Sequence, residues 1–477
     1  MSLTAIYLDT EDRRLARAGM AWRLRCEGRR WVQTLKAGRS NALERFEHEV
    51  VRPDASPDPS VHKGTPAGDR LITLLRKARA DGIEPSERFR TLVRRTTRRI
   101  RTRGALVEVA FDEGRLLSGG ASLPIREIEF ELVSGSPVAL IGLAERWRKR
   151  FELIYDPRSK AERGDRLADG NAYPPLCKAG LPRYDDDATA SEAFAAVLDE
   201  CLAQITHNAI GLVEGAAAQR VEHVHQLRVG IRRLRSALRR FQSWVPAPPS
   251  ELIEGLRALF VTLGQSRDSD VLESGVMAEL AKAGAPALKL PASSVGSDPI
   301  EAVRAIETQR LLLAWIAWRA ALPTALASPA GADALAASAS ETTAAAGPRA
   351  WHHDVGRRLR RWHARLVADG KSFDDLDDAG LHALRKRIKR QRYAVEFFTP
   401  LLRRRPLERY LVALTAIQER MGTLNDLLVA RQRYQALGTP EAAAWFALGW
   451  LAARIAEQRA LAKPELERLA KADPPAP

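Results

Sequence analysis

One stretch of this sequence occurs twice. His225-Gln226-Leu227-Arg228-Val229-Gly230-Ile231-Arg232-Arg233-Leu234-Arg235 is matched by His382-Ala383-Leu384-Arg385-Lys386-Arg387-Ile388-Lys389-Arg390-Gln391-Arg392, 157 residues further on (382 − 225). Downstream, Leu263-Gly264-Gln265-Ser266-Arg267-Asp268 parallels Met421-Gly422-Thr423-Leu424-Asn425-Asp426 at an offset of 158 (422 − 264). A period this long is a whole helical bundle, not a solenoid unit. From Ser191 onward Ala, Leu, Arg and Glu dominate and apolar residues recur at spacings of three and four, the helical pattern. The expected architecture is therefore all-α over about 191–470: two similar helical bundles packed side by side, about 191–320 and 350–470. They are joined by an Ala-, Ser- and Gly-rich interruption over 321–350. The most apolar run, Leu311 to Trp318, is interrupted by Arg319, too short to span a bilayer, and reads as a buried helix.

The repeated stretch carries a charge pattern. At roughly 100° per residue, His225, Arg228, Arg232, Arg235 and Arg239 fall in one narrow sector of the helix, and Leu227, Ile231, Leu234 and Leu238 in the neighbouring, core-facing one. His382, Arg385, Lys389 and Arg392 form the same stripe in the second copy, shortened by Glu396 where the first copy has Arg239. Gln391 stands where the first copy has Leu234. Solvated arginines scatter over a polar arc. A recurrent stripe headed by a histidine points instead to an anion held between the two copies, and the planar fork of Arg suits phosphate oxygens. Arg233 and Arg390 point away from the stripe, toward the edge of such a groove. Asp268 and Asp426 either orient arginines or cap a helix, the structural role being favoured.

Residues 1–165 follow a different grammar, and 166–190, with Pro174-Pro175, Pro182 and Asp185-Asp186-Asp187, read as a linker. Ala21 to Cys26 alternates apolar and basic residues, and after Glu27-Gly28-Arg29 the run Arg30 to Lys36 completes a hairpin. Arg45 to Val50, Leu106 to Phe111 and Ile125 to Leu132 alternate similarly, with short helices expected at 69–80 and 137–149. These strands predict an antiparallel sheet that curls or closes, and an α+β multidomain chain as a whole. Arg23, Arg25 and Lys36 lie on charged strand faces and can hold phosphate oxygens. Glu127, Glu129 and Glu131 alternate, so all three project from one face. Carboxylates so placed repel one another unless solvated or bound to a hard cation such as Mg²⁺ or Mn²⁺.

Composition narrows the partners. Lys and Arg number 75 against 59 Asp and Glu, a formal net charge of +16, which attracts polyanions. Three cysteines, Cys26, Cys177 and Cys201, match neither a zinc site nor a disulfide framework, so a reducing cytoplasm is the simplest compartment. No signal-length apolar run opens the chain and no membrane partner is expected. No aromatic platform interleaves the basic stripe and no helix-turn-helix or RNA-binding signature is present, which disfavours nucleic acid.

The repeated motifs, with Arg267-Asp268-Ser269-Asp270 after Leu263-Gly264, resemble the CHAD family, the conserved histidine α-helical domain, over about residues 191–470. The resemblance implies two pseudo-symmetric four-helix bundles and a basic central groove that binds inorganic polyphosphate, here through His225, Arg228, Arg232, Arg235, His382, Arg385, Lys389 and Arg392. Tyr7-Leu8-Asp9-Thr10, Leu15 to Arg25, Gln33-Thr34-Leu35-Lys36, Val107 to Gly114, Glu127 to Leu132 and Ser159-Lys160-Ala161-Glu162-Arg163-Gly164 resemble the CYTH family of triphosphate tunnel enzymes. That resemblance implies an eight-stranded antiparallel tunnel hydrolysing triphosphates with a divalent cation. The family's first strand carries Glu-x-Glu-x-Lys, and no such run occurs in the first twenty residues. The expectation is a tunnel lacking that strand, with an unpaired edge and half of its metal site missing. Three functions are thus in view. A polyphosphate-binding protein leads, with a degenerate β domain. A metal-dependent inorganic triphosphatase whose helical domain recruits polyphosphate is second, and a nucleic-acid binder third. Polyphosphate or storage granules are a candidate location within the cytoplasm.

Overall fold

A computed structural model describes residues 1–38, 46–271, 275–286, 298–327, 348–437 and 442–477. The chain divides into two compact units, residues 1–176 with 209–220 and 309–321, and residues 177–208, 221–308 and 322–477. Arg45 and the 328–347 portion of the Ala-rich interruption lie outside the described residues.

The first unit is built on one antiparallel sheet of seven strands: β1 (Ser2–Asp9), β2 (Met20–Glu27), β3 (Arg30–Ala37), β4 (Phe46–Arg52), β5 (Ser86–Thr102), β6 (Ala105–Ser118) and β7 (Ala121–Gly135). Their order is β4-β3-β2-β1-β5-β6-β7, with β4 and β7 at the edges. Two strands escaped the sequence reading, β1 and β5. The first eight residues were too few to show a periodicity, and the Arg pairs of β5 obscure its alternation. A one-turn helix, α1 (Arg14–Arg17), follows β1. Buried Asp9 organises that corner, its carboxylate accepting from the amides of Thr10 (2.7 Å), Leu15 (2.9 Å) and Ala16 (2.9 Å). Three longer helices complete the unit: α2 (Pro66–Ala80), α3 (Pro137–Phe151) and α4 (Lys160–Ala168).

Residues directly opposed in an antiparallel pair share a face. One face can therefore be followed from strand to strand. Glu49, Thr34, Arg23, Tyr7 and Phe89 form one row across it. Arg95, Asp112 and Glu127 form another. The opposite face is apolar and covered. Trp22 and Leu35 pack on Leu71 and Leu75 of α2, and Val107 and Val109 pack on Leu143 of α3. α3 also packs through Ile141 on Leu313 and Ile316 of α10 (Ile306–Ala327), the helix that contains the apolar run Leu311 to Trp318. The polar face is concave, and α4 lies on it. Leu167 joins Ala5, Tyr7, Phe89 and Val93 in one cluster. Only glycine fits at 164, because a Cβ there would stand 2.1 Å from the Phe89 ring.

The remaining helices are α5 (Ala190–Glu214), α6 (Arg220–Phe241), α7 (Ser250–Val271), two short helices α8 (Met277–Lys282) and α9 (Pro299–Arg304), then, after α10, α11 (Pro348–Lys371), α12 (Asp378–Phe397), α13 (Arg404–Gln435) and α14 (Ala442–Ala470). In the second unit α11 to α14 form a closed bundle, each helix packing on the next and α11 on α14. Among the first set, α5 meets α6 through Gln204 Nε2, which donates to Gln226 Oε1 (3.0 Å), and α6 meets α7 through Arg228 and the Phe260 carbonyl. Phe194, Phe241, Trp244, Trp351 and Phe398 form an aromatic seam between the two repeats, with ring centroids 5.1 to 6.3 Å apart along it. The stretch after α4 is packed: Tyr184 donates to the Phe397 carbonyl (2.8 Å), and Gly180 O accepts from Arg233 (2.7 Å). No described helix is long and apolar enough to cross a membrane.

Candidate functional sites

Each unit carries a cluster of charge, and the two are built differently. In the second unit, α6 and α12 line one cavity of about 1580 Å³. Of the stripe residues, His225, Arg228, Arg232 and Arg235 of α6 and His382, Arg385 and Lys389 of α12 are on its wall. Arg239, Arg240, Arg365, Lys386, Arg387 and Arg390 also line it. Among the described lining residues, eleven are Lys or Arg and three are Asp: Asp377, Asp378 and Asp426. Asp378 engages Arg431 and Asp369 engages Arg387, while His382 Nδ1 is 3.0 Å from Asn425 Oδ1. The rest of the field is felt by the arginines themselves. Burial, reinforced by Arg390 and Arg239, lowers Arg240 to about 10. Burial and neighbouring arginines likewise lower Arg235 and Arg390. Taking charged groups out of water beside like charges disfavours the charged form.

Four expectations are corrected. Arg392 does not line the cavity, because Glu396 one turn on holds its Nε at 2.7 Å. Arg233 is not at the groove edge but 1% exposed in the core, donating to Gln204 Oε1 (3.2 Å) and Gly180 O, with its guanidinium 5.7 Å from the Phe397 ring centroid. Arg390 does line the cavity. Aromatic rings are present too: Phe260, Trp362 and Tyr393. Arginine guanidiniums cover two of them, Arg228 at 4.3 Å from the Phe260 centroid and Arg240 at 3.6 Å from that of Trp362. The rings serve as platforms for cations. Phe260 and Trp362 come from α7 and α11 and lie outside any stripe read within a single helix, whereas Tyr393 sits on α12 itself. The side chains of Arg267, Asp268, Ser269 and Asp270 lie outside the described residues.

In the first unit the concave face brings Arg23, Arg25 and Lys36 together with carboxylates. Arg23 lies 3.6 Å from both Glu47 and Glu49, Arg25 pairs with Glu27 (2.5 Å) and Glu49 (3.4 Å), and Lys36 pairs with Glu47 (2.8 Å). Burial, with Arg23 beside it, lowers the pKa of Lys36. Glu127 and Glu129 meet Asp112 of β6, and one carboxylate oxygen from each lies within 4.8 Å of the others. Glu131, a further pleat along β7 and opposite Glu108, is not in the group. Asp112 was missed because only the β6–β7 register places it opposite Glu127. Lys160 of α4 reaches all three carboxylates, at 2.7 Å from Asp112 and 2.8 Å from Glu129 and in an ion pair with Glu127. Arg163 pairs with Glu127, and Arg95 with Asp112 and Glu129, both at 2.6 Å. Burial would raise the Glu129 carboxyl, but Lys160 and Arg95 pull it down to about 2. Burial likewise works against the Lys160 charge, and the three carboxylates outweigh it, raising its pKa. Three hard oxygen donors from adjacent strands fit Mg²⁺ or Mn²⁺. The Lys160 ammonium sits among the same oxygens and has to move for a cation to be held there.

Residues 1–164 match the CYTH domain family and residues 196–435 the CHAD domain family. The chain is 30% identical over 161 residues to the inorganic triphosphatase of Haemophilus influenzae, an alignment covering 33% of this chain and 44% of that protein. It thus spans less than half the length of this relative. The crystal structure of the CHAD domain from the plant Ricinus communis is 30% identical and covers 62% of this chain and 97% of that one, with a TM-score of 0.47. PptA from Streptomyces chartreusis is 21% identical and covers 60% and 99%, with a TM-score of 0.34. The helical match alone takes in half of the chain, and the β-sheet match precedes it without overlap: this protein belongs to the CHAD family and carries a CYTH domain ahead of its CHAD domain.

Proposed function

We propose that the helical groove binds a linear phosphate polymer, inorganic polyphosphate. The observation that carries this is that, among the described residues, eleven Lys and Arg from both repeats line one cavity with three Asp. Such a surplus is unfavourable until an anion enters, and a chain of phosphates supplies many oxygens at close spacing. Two of the three cavity rings, Phe260 and Trp362, are covered by arginines, which leaves little aromatic face for stacking bases and favours bare phosphate. Competition between long-chain polyphosphate and duplex DNA, at matched phosphate and near-physiological salt, tests the reading. Polyphosphate is expected to win, since a thin flexible chain enters a cleft that a wide, stiff duplex cannot. Displacement of polyphosphate by duplex at equal phosphate sinks it.

A second reading, a metal-dependent inorganic triphosphatase, is favoured by Asp112, Glu127 and Glu129 beside Arg23, Arg25, Lys36 and Arg95. A divalent ion held by the three carboxylates would bridge phosphate oxygens and neutralise developing charge. The chain's own cations would hold the remaining oxygens once released from their carboxylates. Because Lys160 already satisfies those carboxylates, triphosphate is expected to bind with slow turnover. Phosphate release from tripolyphosphate with Mg²⁺ or Mn²⁺ measures it, and rapid release abolished in Glu129→Ala would establish the enzyme.

A further inference from the structure

The first-repeat stripe rests on a prepared surface. Arg228 is 9% exposed, and its guanidinium lies 4.3 Å from the centroid of the Phe260 ring. Its Nη1 donates to the carbonyl of the same Phe260 at 3.0 Å. Arg232 and Arg235 gather over that ring at 5.7 and 5.9 Å. One turn along α7, Gly264 leaves room for the guanidinium: a Cβ at that position would stand 2.4 Å from Arg228 Nη1. Ring, carbonyl and bare backbone together form a seat. In the second repeat the equivalent glycine is Gly422, where an added Cβ meets nothing within 4 Å. Phe260 shifted by the same 158 residues (418 − 260) becomes Gln418. The second repeat keeps the glycine but has Gln418 in place of the ring and no atom within 4 Å of an added Cβ.

We propose that Phe260 and Gly264 are positioning residues that seat Arg228 to receive a phosphate chain. The inference rests on the groove reading above. A guanidinium already held by a π face and a carbonyl loses little freedom when phosphate arrives, so more of its interaction appears as affinity. Gly264 is the sharper probe. The atom an added methyl would meet is the far end of a flexible side chain, so the guanidinium is displaced while the helices stay.

Four variants titrated calorimetrically with long-chain inorganic polyphosphate test it: Gly264→Ala, Gly422→Ala, Phe260→Leu and Phe260→Tyr. Gly264→Ala and Phe260→Leu are expected to weaken binding about tenfold, the usual scale of a desolvated cation–π contact. Phe260→Tyr restores the face and keeps wild-type affinity. Gly422→Ala also keeps it and raises the Tm, because alanine favours a helix interior over glycine. The salt dependence of Phe260→Leu keeps the wild-type slope, since no charge is removed. Wild-type affinity in Gly264→Ala, or equal losses in the two glycine variants, overturns the seat. Should Gly264→Ala lower the Tm, the Phe260 pair decides, and equal affinities of Leu and Tyr overturn it. A wild-type protein that fails to bind polyphosphate overturns the groove reading itself, a result separate from any difference among variants.

Discussion

The groove of the helical unit and the concave face of the β unit are both rich in arginine, yet they solve opposite problems. On the concave face, Arg23, Arg25, Lys36, Arg95, Lys160 and Arg163 meet Glu27, Glu47, Glu49, Asp112, Glu127 and Glu129, cation against carboxylate. The face is neutralised from within. In the groove the lining cations far outnumber the acids, and Arg235, Arg240 and Arg390 are all pulled below their ordinary pKa. A surface of the second kind gains by taking up any polyanion. One of the first kind gains little from an anion or a metal alone, because each must first displace an existing partner. Similar residue types thus give a groove with a surplus of cations in one place and a self-neutralised face in the other.

The largest expected effect tests the uncompensated charge. Polyphosphate binding by the groove should weaken about a thousandfold between about 50 and about 200 mM salt, as for proteins that neutralise many phosphates. Charge reversal separates the repeats within that field. Arg228→Glu should cost about a hundredfold, because it also empties the Phe260 seat, and Arg385→Glu about tenfold or more from the reversal of its charge. Calorimetric titration at several salt concentrations reads all three. A loss of less than tenfold over the salt range would mean that the cations are screened as free surface residues are.

The self-neutralised face makes the next prediction. Were Asp112, Glu127 and Glu129 to hold a divalent ion, Lys160 and Arg95 would have to leave those carboxylates and could then face phosphate oxygens, each ligand preparing the site for the other. Mg²⁺ or Mn²⁺ should raise tripolyphosphate affinity about thirtyfold, within the usual range of coupling between two ligands. By reciprocity tripolyphosphate raises metal affinity by the same factor. The measurement uses Arg228→Glu protein, to suppress the groove, and ion concentrations low enough that metal in solution is corrected for. Equal affinities with and without metal would show that the ion pairs do not gate the site.

How much of this was legible in the sequence follows from where each signal lives. The α6 stripe was legible because a single helix carries it at a period of 3.6 residues. So was the alternation of Glu127 and Glu129, a property of one strand. Phe260 and Trp362 were not, since they reach the cavity from other helices and no local period announces them. Asp112 needed the β6–β7 register, which no single strand specifies. β5 failed for a local reason: Arg94-Arg95 and Arg98-Arg99 break an alternation that Phe89, Thr91 and Val93 begin. Arg233 shows a limit of helical projection. Pointing away from the groove on a helix buried around much of its circumference means burial, and only the folded chain shows Gln204, Gly180 and Phe397 waiting there.

The smallest effect contrasts the two units by acid. His62 is fully buried, its ring 3.0 Å from Gln33 Nε2 and 2.9 Å from His48 Nδ1, with Asp58 and Arg52 the other charged groups facing it. Burial, then His48, lowers it to about 4 from an ordinary 6.5. As pH falls below 6.5 the unfolded chain takes up the proton that the folded chain refuses, so stability is lost progressively down to about 4 and not further. Glu129 has the same sign in a lower window: its contribution is full above 4.5 and disappears as pH falls toward about 2. Both groups belong to the β unit. The helical unit shares the upper window, because burial also lowers His223, His352 and His363, whereas the Glu129 cluster belongs to the β unit. Acid should therefore weaken both units in the upper window and the β unit further in the lower one, in separate transitions. His62→Gln should shrink the Tm loss between pH 6.5 and 4 by about 3 °C and leave the lower window unchanged, and Glu129→Gln should do the reverse. Unfolding followed by hydrogen exchange at peptide resolution assigns each transition to its unit. If the helical amides lose protection together with the β amides in both windows, the two units unfold as one and the electrostatic contrast between them does not govern stability.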